Sequence, residues 1–318
     1  MSNKIDILTI GDSCIDQLMR IDDGSAQEES IGGSREICFI HGTKIPVQTF
    51  EISIAGNAVN VAVGTSRLGL KTYVYSEIGD DMNADKVISE LKAHGVNTNY
   101  CIRNKGTLTD IHPIIVYGND RTIFIYHAPR QYKVQKWPVP KWLYYSSIGR
   151  DFEAFQDVLI NYVKQNPSIG VAFNPGTFHI KAGLDSIRNF LSVTHILLLN
   201  KEEAQGLVGE NPLEDLHQKL RGLGPKMTVI TDGENGSSAS DGNEFVQTPI
   251  FNREQTIVDK TGAGDAYSSG FLSAIYHNKP LKEAIVWGSI NSSSVIRKVG
   301  AINGLNTKEE LENLLNRS

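Results

Sequence analysis

Residues 258–271 read VDKTGAGDAYSSGF, a glycine-rich turn that runs directly into an apolar, helix-like stretch. Gly262 and Gly264 let the backbone turn tightly, so that amide N–H groups and the helix dipole converge on one point. Such a point favours binding of an anion such as phosphate. Asp265 at its rim is a candidate general base that deprotonates a nucleophile attacking phosphate. The alternative is that Asp265 only caps the helix, because aspartate is a favoured N-cap residue.

The rest of the chain alternates between short apolar runs and helical patterns. The runs are rich in Val, Ile, Leu and Tyr, and most precede Gly, Asn or Asp, which is typical of buried parallel strands. This alternation predicts a doubly wound α/β sandwich. The predicted strands are 5–10, 72–76, 142–148, 170–173, 195–199 and 227–231, and the predicted helices are 56–68, 83–94, 152–164, 202–208, 213–220 and 266–277.

Two segments break this alternation and predict a small antiparallel sheet that projects from the large domain. Residues 15–54 are rich in Gly, Ser and Glu in their middle and end in alternating apolar and polar side chains. Residues 107–127 predict a hairpin, with a turn at 118–120 between the runs 111–117 and 122–126. In α/β enzymes such a lid commonly covers the carboxyl ends of the central strands, where ligands bind.

Composition indicates a protein that acts on a small molecule. The 318 residues correspond to about two domains, or to one large α/β domain with an appendage. The net charge of −5 lacks the basic excess of nucleic-acid-binding proteins. Cys14, Cys38 and Cys101 are far apart, which predicts neither a disulfide framework nor a zinc knuckle. No apolar stretch has the length of a signal peptide or a membrane span, so we expect a cytoplasmic protein.

The motifs of several other enzyme classes are missing. No G-x-G-x-x-G follows the first predicted strand, which argues against a dinucleotide-dependent oxidoreductase. The chain contains no Gly-Lys dipeptide, and therefore no G-x-x-x-x-G-K-[ST] phosphate loop. The G-x-S-x-G motif of hydrolases and the H-E-x-x-H motif of metalloproteases are also absent. If the protein binds phosphate, it must do so through a structural element other than that phosphate loop.

Short motifs follow one another in a fixed order from residue 5 to about residue 305. They are Gly11 with Asp16, Ala55-Gly56-x-x-x-Asn60-x-Ala62, Arg67-Leu68-Gly69, Ile78-Gly79-Asp80-Asp81, Asn200-x-x-Glu203, Thr231-x-Gly233-x-x-Gly236, Asp259-x-x-Gly262-Ala263-Gly264-Asp265 and Gly300-Ala301. This ordered set resembles the ribokinase-like carbohydrate kinases, the phosphofructokinase-B family. The resemblance implies a three-layer α/β/α sandwich with a mostly parallel sheet and a small β-sheet lid. We expect a single kinase domain over 1–318, with lid segments at about 15–54 and 107–127.

The resemblance also implies an activity. It is transfer of the γ-phosphoryl group of ATP to a hydroxyl, usually a hydroxymethyl, of a sugar or sugar derivative, with Mg²⁺ as cofactor. Asp265 is then the general base, and the turn of Gly262, Ala263 and Gly264 presents the amides of Ala263, Gly264 and Asp265, which stabilise the transferred group. Two alternatives stay open. One is a nucleoside kinase of the same fold, and the other is a sugar-binding regulator without catalysis.

Further site residues follow from the resemblance. Asn200 and Glu203 are expected to position phosphates, with Glu203 holding Mg²⁺ through water. Asp259 allows a site for a monovalent cation such as K⁺, although Lys260 and Lys298 can supply that charge instead. The remaining residues are assigned to the acceptor (Asp16, Gly56 and Asn60) or to ATP (Thr231, Gly233, Gly236 and Asn291).

These assignments have structural alternatives. Residues 201–203 also fit a solvated helix start, and 231–236 an ordinary turn. Asn291 also fits a buried or capping amide, and Asn60 a polar residue on a helix that faces the sheet. Ala55 departs from the family pattern, which usually has two consecutive glycines there. Because the exposed apolar face of a small lid is often covered by the lid of a partner, we expect a homodimer through the lid.

Overall fold

The structure is a computed structural model that describes residues 4–31, 34–118, 120–252 and 256–316. The strands are β1 (Ile7–Ile10), β2 (Cys14–Ile21), β3 (Gln27–Ile31), β4 (Ser34–Cys38), β5 (Val47–Ala55), β6 (Thr72–Ile78), β7 (Asn97–Arg103), β8 (Asp110–Tyr117), β9 (Asp120–Ile123), β10 (Trp142–Tyr145), β11 (Gly170–Phe173), β12 (Ile196–Asn200), β13 (Met227–Thr231), β14 (Ser237–Ser240) and β15 (Phe245–Thr248). The helices are α1 (Asn57–Arg67), α2 (Met82–Ala93), α3 (Phe152–Gln165), α4 (Thr177–Ala182), α5 (Leu184–Leu191), α6 (Lys201–Val208), α7 (Leu213–Arg221), α8 (Ala263–Tyr276), α9 (Leu281–Val295) and α10 (Lys308–Leu315). Across the described ranges, no helix has the length and apolar character needed to span a membrane.

The central sheet has nine strands in the order β15-β14-β13-β12-β11-β10-β1-β6-β7. The pairs from β7 to β13 are parallel, and β14 and β15 add an antiparallel edge. The mostly parallel sheet predicted from the sequence is therefore confirmed. The six predicted strands and six predicted helices are all present, with bounds within three residues of those predicted. Asn119, in the predicted lid turn, lies outside the described residues.

Helices cover both faces of this sheet. Alternate residues of each buried strand point to opposite layers, because side chains alternate along a strand. On β12, Leu197 and Leu199 pack in the layer of Phe190, whereas Ile196 and Leu198 pack in the layer of Trp287 and Phe271. Burial on both faces explains why these strands appear in the sequence as continuous apolar runs. The predicted three-layer α/β/α sandwich is confirmed.

The lid is a separate four-stranded sheet in the order β5-β2-β8-β9. The pairs β2–β5 and β8–β9 are antiparallel, as predicted, but β2 and β8 run parallel. The chain leaves the lid after β5, passes through α1, β6, α2 and β7 of the core, and returns to begin β8. A long crossover of this kind permits parallel pairing, which a short hairpin cannot make. The strands β3 and β4 form a small sheet of their own.

Candidate active site

Helix α8 begins at the glycine-rich turn, with Gly262 as its N-cap at φ 75°. A Cβ atom on Gly262 would lie 2.6 Å from the Cβ of Ala301, so both the conformation and the space require glycine. At Gly264, by contrast, a Cβ would meet nothing within 4 Å, because this residue faces open space. The first amides of a helix have no acceptor within the helix. The turn therefore directs the backbone N–H groups of α8 towards an adjacent cavity.

Asp265 lies in the first turn of α8, three residues after the N-cap, and is not itself the cap. The residue is 8% exposed, and its Oδ2 accepts a hydrogen bond of 2.8 Å from Nδ2 of Asn60. Burial raises the pKa of Asp265 to about 7; the charges of Asp12, Glu203 and Asp16 add to this, and the bond from Asn60 opposes it. A carboxyl group with this pKa can accept a proton near neutral pH.

A cavity of about 640 Å³, here called the lid cavity, lies between the lid and α8. The predicted acceptor residues Asp16, Gly56 and Asn60 all line it, together with Asp265. Gly56 has φ 114°, and a Cβ there would lie 2.4 Å from the carbonyl oxygen of Asp12. The structure thus brings together residues that are up to 249 positions apart, as the interpretation of these motifs required. The neighbouring Ala55 is buried and also lines the cavity.

A polar network beside the lid cavity was largely missed by the sequence analysis. Nδ1 of His127 lies 2.7 Å from Oδ2 of Asp110, and Nη2 of Arg130 lies 3.2 Å from Oδ1 of Asp110. Nε2 of His127 lies 3.9 Å from Oδ2 of Asp12. Burial raises the pKa of Asp12 to about 6. Burial acts to lower the pKa of His127, but the hydrogen bond to Asp110 and the charge of Asp12 outweigh it and raise that pKa.

One signal could have identified Asp12. It follows β1 at the carboxyl end of a central strand, where ligands bind in sheets of this type. His127 and Arg130 carry no comparable signal, because they lie in an irregular stretch after the lid hairpin. Only the folded chain places them beside Asp110.

Two smaller cavities continue from the lid cavity along α8. The turn cavity, of about 230 Å³, is lined by Asn200, Glu203, Thr231, Gly264 and Asp265 among others. The edge cavity, of about 240 Å³, is more apolar, and its lining includes Thr231, Gly233, Gly236, Phe251, Ile257 and Tyr267. Gly262 and Asp265 line both the lid and turn cavities, and Thr231 and Gly264 line both the turn and edge cavities. The three cavities therefore form one continuous row, with Asp265 at the boundary between the lid cavity and the turn cavity.

The residues Asn200 and Glu203 form a capping box at the start of α6. The backbone N–H of Asn200 donates to Oε2 of Glu203 at 2.9 Å, and the N–H of Glu203 donates to Oδ1 of Asn200 at 2.8 Å. Burial raises the pKa of Glu203, although the bond from Asn200 partly opposes it. A helix start at this position is thus compatible with a role of Asn200 and Glu203 in the site, because the cap holds the carboxylate of Glu203 at the wall of the turn cavity.

The structure places Asn291 away from the three cavities. Its side chain is fully buried between α8 and α9, where Nδ2 donates to the carbonyl of Ala266 at 3.0 Å and to Oγ of Ser269 at 2.9 Å. Its Oδ1 accepts bonds from the backbone and side-chain N–H groups of Asn306. Asn291 lines none of the three cavities, because the helical period turns it towards α8. Its neighbours Ser292 and Ser293 line the edge cavity instead.

Asp259 accepts hydrogen bonds on both carboxylate oxygens. Its Oδ1 accepts from N and Oγ1 of Thr261 at 2.9 and 2.6 Å and from Nη1 of Arg121 at 3.0 Å. Its Oδ2 accepts from the backbone N–H of Gly300 at 2.9 Å. The ion pair of Asp259 is made with Arg121 on the lid, whereas the sequence suggested Lys260 and Lys298 as sources of charge.

Comparisons with known proteins agree with this architecture. The ribokinase of Arabidopsis thaliana, complexed with ribose and ATP, aligns at a TM-score of 0.79 and 20% identity, over 99% of this chain and 100% of that chain. A nucleoside kinase of Methanocaldococcus jannaschii, an archaeal member of the ribokinase family, aligns at a TM-score of 0.79 and 19% identity over all of both chains. The predicted ribokinase-like fold is confirmed.

Sequence comparison identifies the family. The chain is 24% identical over 315 residues to an ATP-dependent 6-phosphofructokinase of Thermoanaerobacterium thermosaccharolyticum, which covers 94% of this chain and 90% of that protein. The family model described as pfkB family carbohydrate kinase matches residues 14–308. The predicted resemblance and the predicted enzyme class are therefore confirmed. The chain belongs to the pfkB family of carbohydrate kinases.

Proposed function

We propose that this kinase transfers the γ-phosphoryl group of ATP to a hydroxymethyl group of a sugar or sugar derivative, with Asp265 as the general base. The position of Asp265 carries the proposal. It is the carboxyl group that lines both the lid cavity and the turn cavity, so it can touch an acceptor on one side and a phosphate on the other. Its pKa of about 7 suits proton transfer at neutral pH.

The proposed reaction assigns a role to each cavity. Asp16 and Asn60 would hold the acceptor in the lid cavity, since buried carboxylate and amide groups discriminate by binding hydroxyls. The acceptor oxygen forms a bond to phosphorus, its proton passes to Asp265, and the bond from phosphorus to the leaving oxygen of ADP breaks. Backbone N–H groups of Gly264 and Asp265 would stabilise the charge on the transferred group.

The turn cavity and the adjoining edge cavity together suit the phosphates and the base of ATP. The turn cavity contains the helix N-terminus and Glu203, and so would take the phosphates. The edge cavity is lined by Phe251, Ile257 and Tyr267, which offer apolar contacts for a nucleobase. Thr231, Gly233 and Gly236 lie along its wall. Asn291 takes no part in this proposal.

Mg²⁺ fits the oxygen donors of the turn cavity. Glu203 offers a carboxylate, and Asn174 and Asn200 offer amide groups, which match the preference of Mg²⁺ for few carboxylates and several waters. Bound there, Mg²⁺ would neutralise charge on the phosphates. A monovalent cation fits less well, because both oxygens of Asp259 already accept hydrogen bonds and Arg121 supplies a positive charge. We propose that K⁺ is not required.

A nucleoside kinase is the second candidate. The lid cavity is large enough for a nucleoside, and Tyr126 and Phe178 in its lining offer aromatic faces for a base. Asp16 and Asn60 would bind the hydroxyls of a furanose in either case. A non-catalytic sugar-binding regulator is the third, and it is disfavoured because it would not need a carboxyl group of raised pKa at the boundary between the cavities.

The test is ADP release from ATP and Mg²⁺ with a panel of pentoses, hexoses, sugar phosphates, sugar acids and nucleosides. We expect a sugar or sugar derivative to stimulate turnover, and Asp265→Asn to lower kcat by about 10²–10⁴-fold. Asp185→Asn is the matched control, because the side chain of Asp185 is 97% exposed on α5. Stimulation by nucleosides alone would select the second candidate. Binding of a panel compound without any turnover would select the regulator.

Three further proposals concern the assembly, location and domain organisation of the enzyme. We propose a homodimer through the lid, supported by apolar side chains on β5 such as Phe50, which is 54% exposed. Light scattering of the parent and of Phe50→Asp would test it, since the variant should become monomeric. We also propose a cytoplasmic location, which three free cysteines support. Over the chain as a whole, we propose one kinase domain with two lid segments.

A further inference from the structure

Three metal-ligating side chains converge at the floor of the lid cavity. Cys14 and Asp16 lie two residues apart on β2 and so share one face of the lid sheet. His112 lies on β8, directly opposite Asp16 in the parallel register of these strands. Asp16 and His112 line the lid cavity, and Cys14 is fully buried behind them.

The distances among these atoms are those of ligands around one metal ion. Nδ1 of His112 lies 3.3 Å from Sγ of Cys14 and 3.3 Å from Oδ1 of Asp16, and Sγ lies 3.8 Å from Oδ1. Tetrahedral zinc, with bonds of about 2.3 Å to sulfur and about 2.0–2.2 Å to nitrogen and oxygen, separates its ligands by roughly 3.3–3.6 Å. The three atoms therefore need to move by only a few tenths of an ångström to bind one ion.

Protons cannot satisfy all three contacts together. If Nδ1 of His112 donates to Asp16, it cannot accept from the thiol of Cys14; if it accepts from Cys14, it faces an oxygen lone pair of Asp16. Nε2 of the same ring is buried and has no hydrogen-bond partner within the ranges that the structure describes. The polar contacts of this ring are thus concentrated at Nδ1, where a single cation would satisfy all three groups.

We propose that Cys14, Asp16 and His112 form a three-ligand site for Zn²⁺ or a cation of similar softness, with its fourth position open to the lid cavity. On binding, the thiol proton of Cys14 leaves to solvent and a bond forms from zinc to the thiolate, with no change of oxidation state. A thiolate and an imidazole disfavour Mg²⁺, which separates this site from the oxygen donors of the turn cavity.

The site has a regulatory consequence that rests on the proposed function. Asp16 is a proposed acceptor residue, so zinc bound to its carboxylate takes away one of the groups that hold the acceptor. The ion also occupies part of the lid cavity, which both His112 and Asp16 line. Zinc therefore inhibits the kinase in competition with the acceptor and not with ATP.

Cobalt binding tests the site without any need for kinase activity. The full chain, freed of metal by chelation, is titrated with Co²⁺ under reducing conditions, and then Zn²⁺ is added. We expect one equivalent of cobalt, a thiolate-to-cobalt charge-transfer band, visible bands typical of tetrahedral cobalt, and their loss as zinc displaces it. Cys14→Ser should weaken binding by more than about 100-fold, as should His112→Asn.

Cys101→Ser is the matched control, because Cys101 is a partly buried cysteine on β7 of the central sheet and should leave the cobalt spectrum unchanged. Cys14 does not line the lid cavity, so Cys14→Ser should keep turnover while losing sensitivity to zinc. An absent charge-transfer band, or equal cobalt affinity in the parent and both ligand variants, would overturn the proposal. If the chain showed no kinase activity with any acceptor, the cobalt spectrum would still decide this site.

Discussion

Arg121 on the lid donates a hydrogen bond of 3.0 Å to the carboxylate of Asp259, 138 residues further along the chain. The same carboxylate accepts bonds from Thr261, which directly precedes Gly262, and from Gly300, whose neighbour Ala301 lies beside Gly262. The side chains of Arg121 and Asp259 are 29% and 8% exposed, so this pair is less screened by water than a surface ion pair. The position of the lid is thus coupled directly to the loop that shapes the anion-binding turn.

Arg121→Gln should lower kcat/KM for the acceptor by about tenfold, because loss of a partly buried ion pair costs on the order of 1–2 kcal/mol and loosens both lid and turn. Steady-state kinetics with each substrate varied in turn would measure it. K⁺ should stimulate this variant more than the parent, since Asp259 would then lack its cation.

The control for this variant is Arg35→Gln. Arg35 pairs with Glu28 in the small sheet β3–β4, and its side chain is 71% exposed. Such a pair contributes little, so the control should behave as the parent does. Equal kcat/KM in Arg121→Gln and the parent would show that the lid does not act through Asp259.

The turnover rate should depend on the protonation of Asp265. Burial raises its pKa to about 7, and the base must be ionised to accept a proton. Activity is therefore present above about pH 7 and falls about tenfold for each pH unit below it. A profile of kcat/KM between pH 5 and pH 9 would measure this limb, because kcat/KM reports the pKa values of the free enzyme. A profile that stayed flat down to pH 5 would contradict the assignment of Asp265.

Asn60→Ala should move that limb to higher pH. The bond from Nδ2 of Asn60 stabilises the ionised form of Asp265 and so opposes the effect of burial on its pKa. A hydrogen bond to a charged group contributes about 1.5–3 kcal/mol, which corresponds to about one pH unit or more. The pH profile of kcat/KM for the variant tests it. A limb that moved to lower pH would mean that Asn60 favours the protonated carboxyl.

Neutralising Asp265 should stabilise the fold while it lowers activity. The pKa of this carboxyl rises on folding from 3.8 to about 7, so the ionised group destabilises the folded chain. The penalty begins above about pH 4, where the unfolded carboxyl ionises, and is complete above about pH 7, with an upper limit of about 4 kcal/mol. Urea unfolding of Asp265→Asn should therefore match the parent near pH 4 and exceed it at pH 8. A difference in the free energy of unfolding between Asp265→Asn and the parent that did not change with pH would contradict this prediction.

The sequence predicted the parts of the fold whose signal is local. The strand β11 was predicted with its observed bounds, because a strand buried on both faces is a continuous apolar run. The strand β14 was missed, since its sequence SSAS is buried but has a single apolar side chain, that of Ala239. Likewise, the acceptor residues Asp16, Gly56 and Asn60 were predicted because their motifs resemble those of a known family.

Contacts between distant segments of the chain could not be predicted in this way. The bond from Arg121 to Asp259 depends on how the lid closes over the core, and no periodicity or spacing encodes it. The burial of Asn291 against α8 was also not evident, because its sequence position beside the serines of α9 could not show which face of the helix meets α8. The site was thus predictable where its residues lie in motifs that resemble a family, and unpredictable where a contact involves residues without such a motif.

The two glycines of the turn should respond differently to alanine. Gly262 has φ 75° and a Cβ there would lie 2.6 Å from Ala301, so Gly262→Ala should cost about 2 kcal/mol or more of stability and lower kcat as the turn shifts. Gly264 lies in the helix, and its Cβ would enter open space, so Gly264→Ala should leave the melting temperature unchanged. Because that open space belongs to the turn and edge cavities, the methyl group should instead raise the KM for ATP.

Thermal unfolding and ATP kinetics on both variants separate these effects. Equal losses of stability would show that Gly264 serves the fold, and an unchanged KM for ATP in Gly264→Ala would remove the nucleotide from this wall.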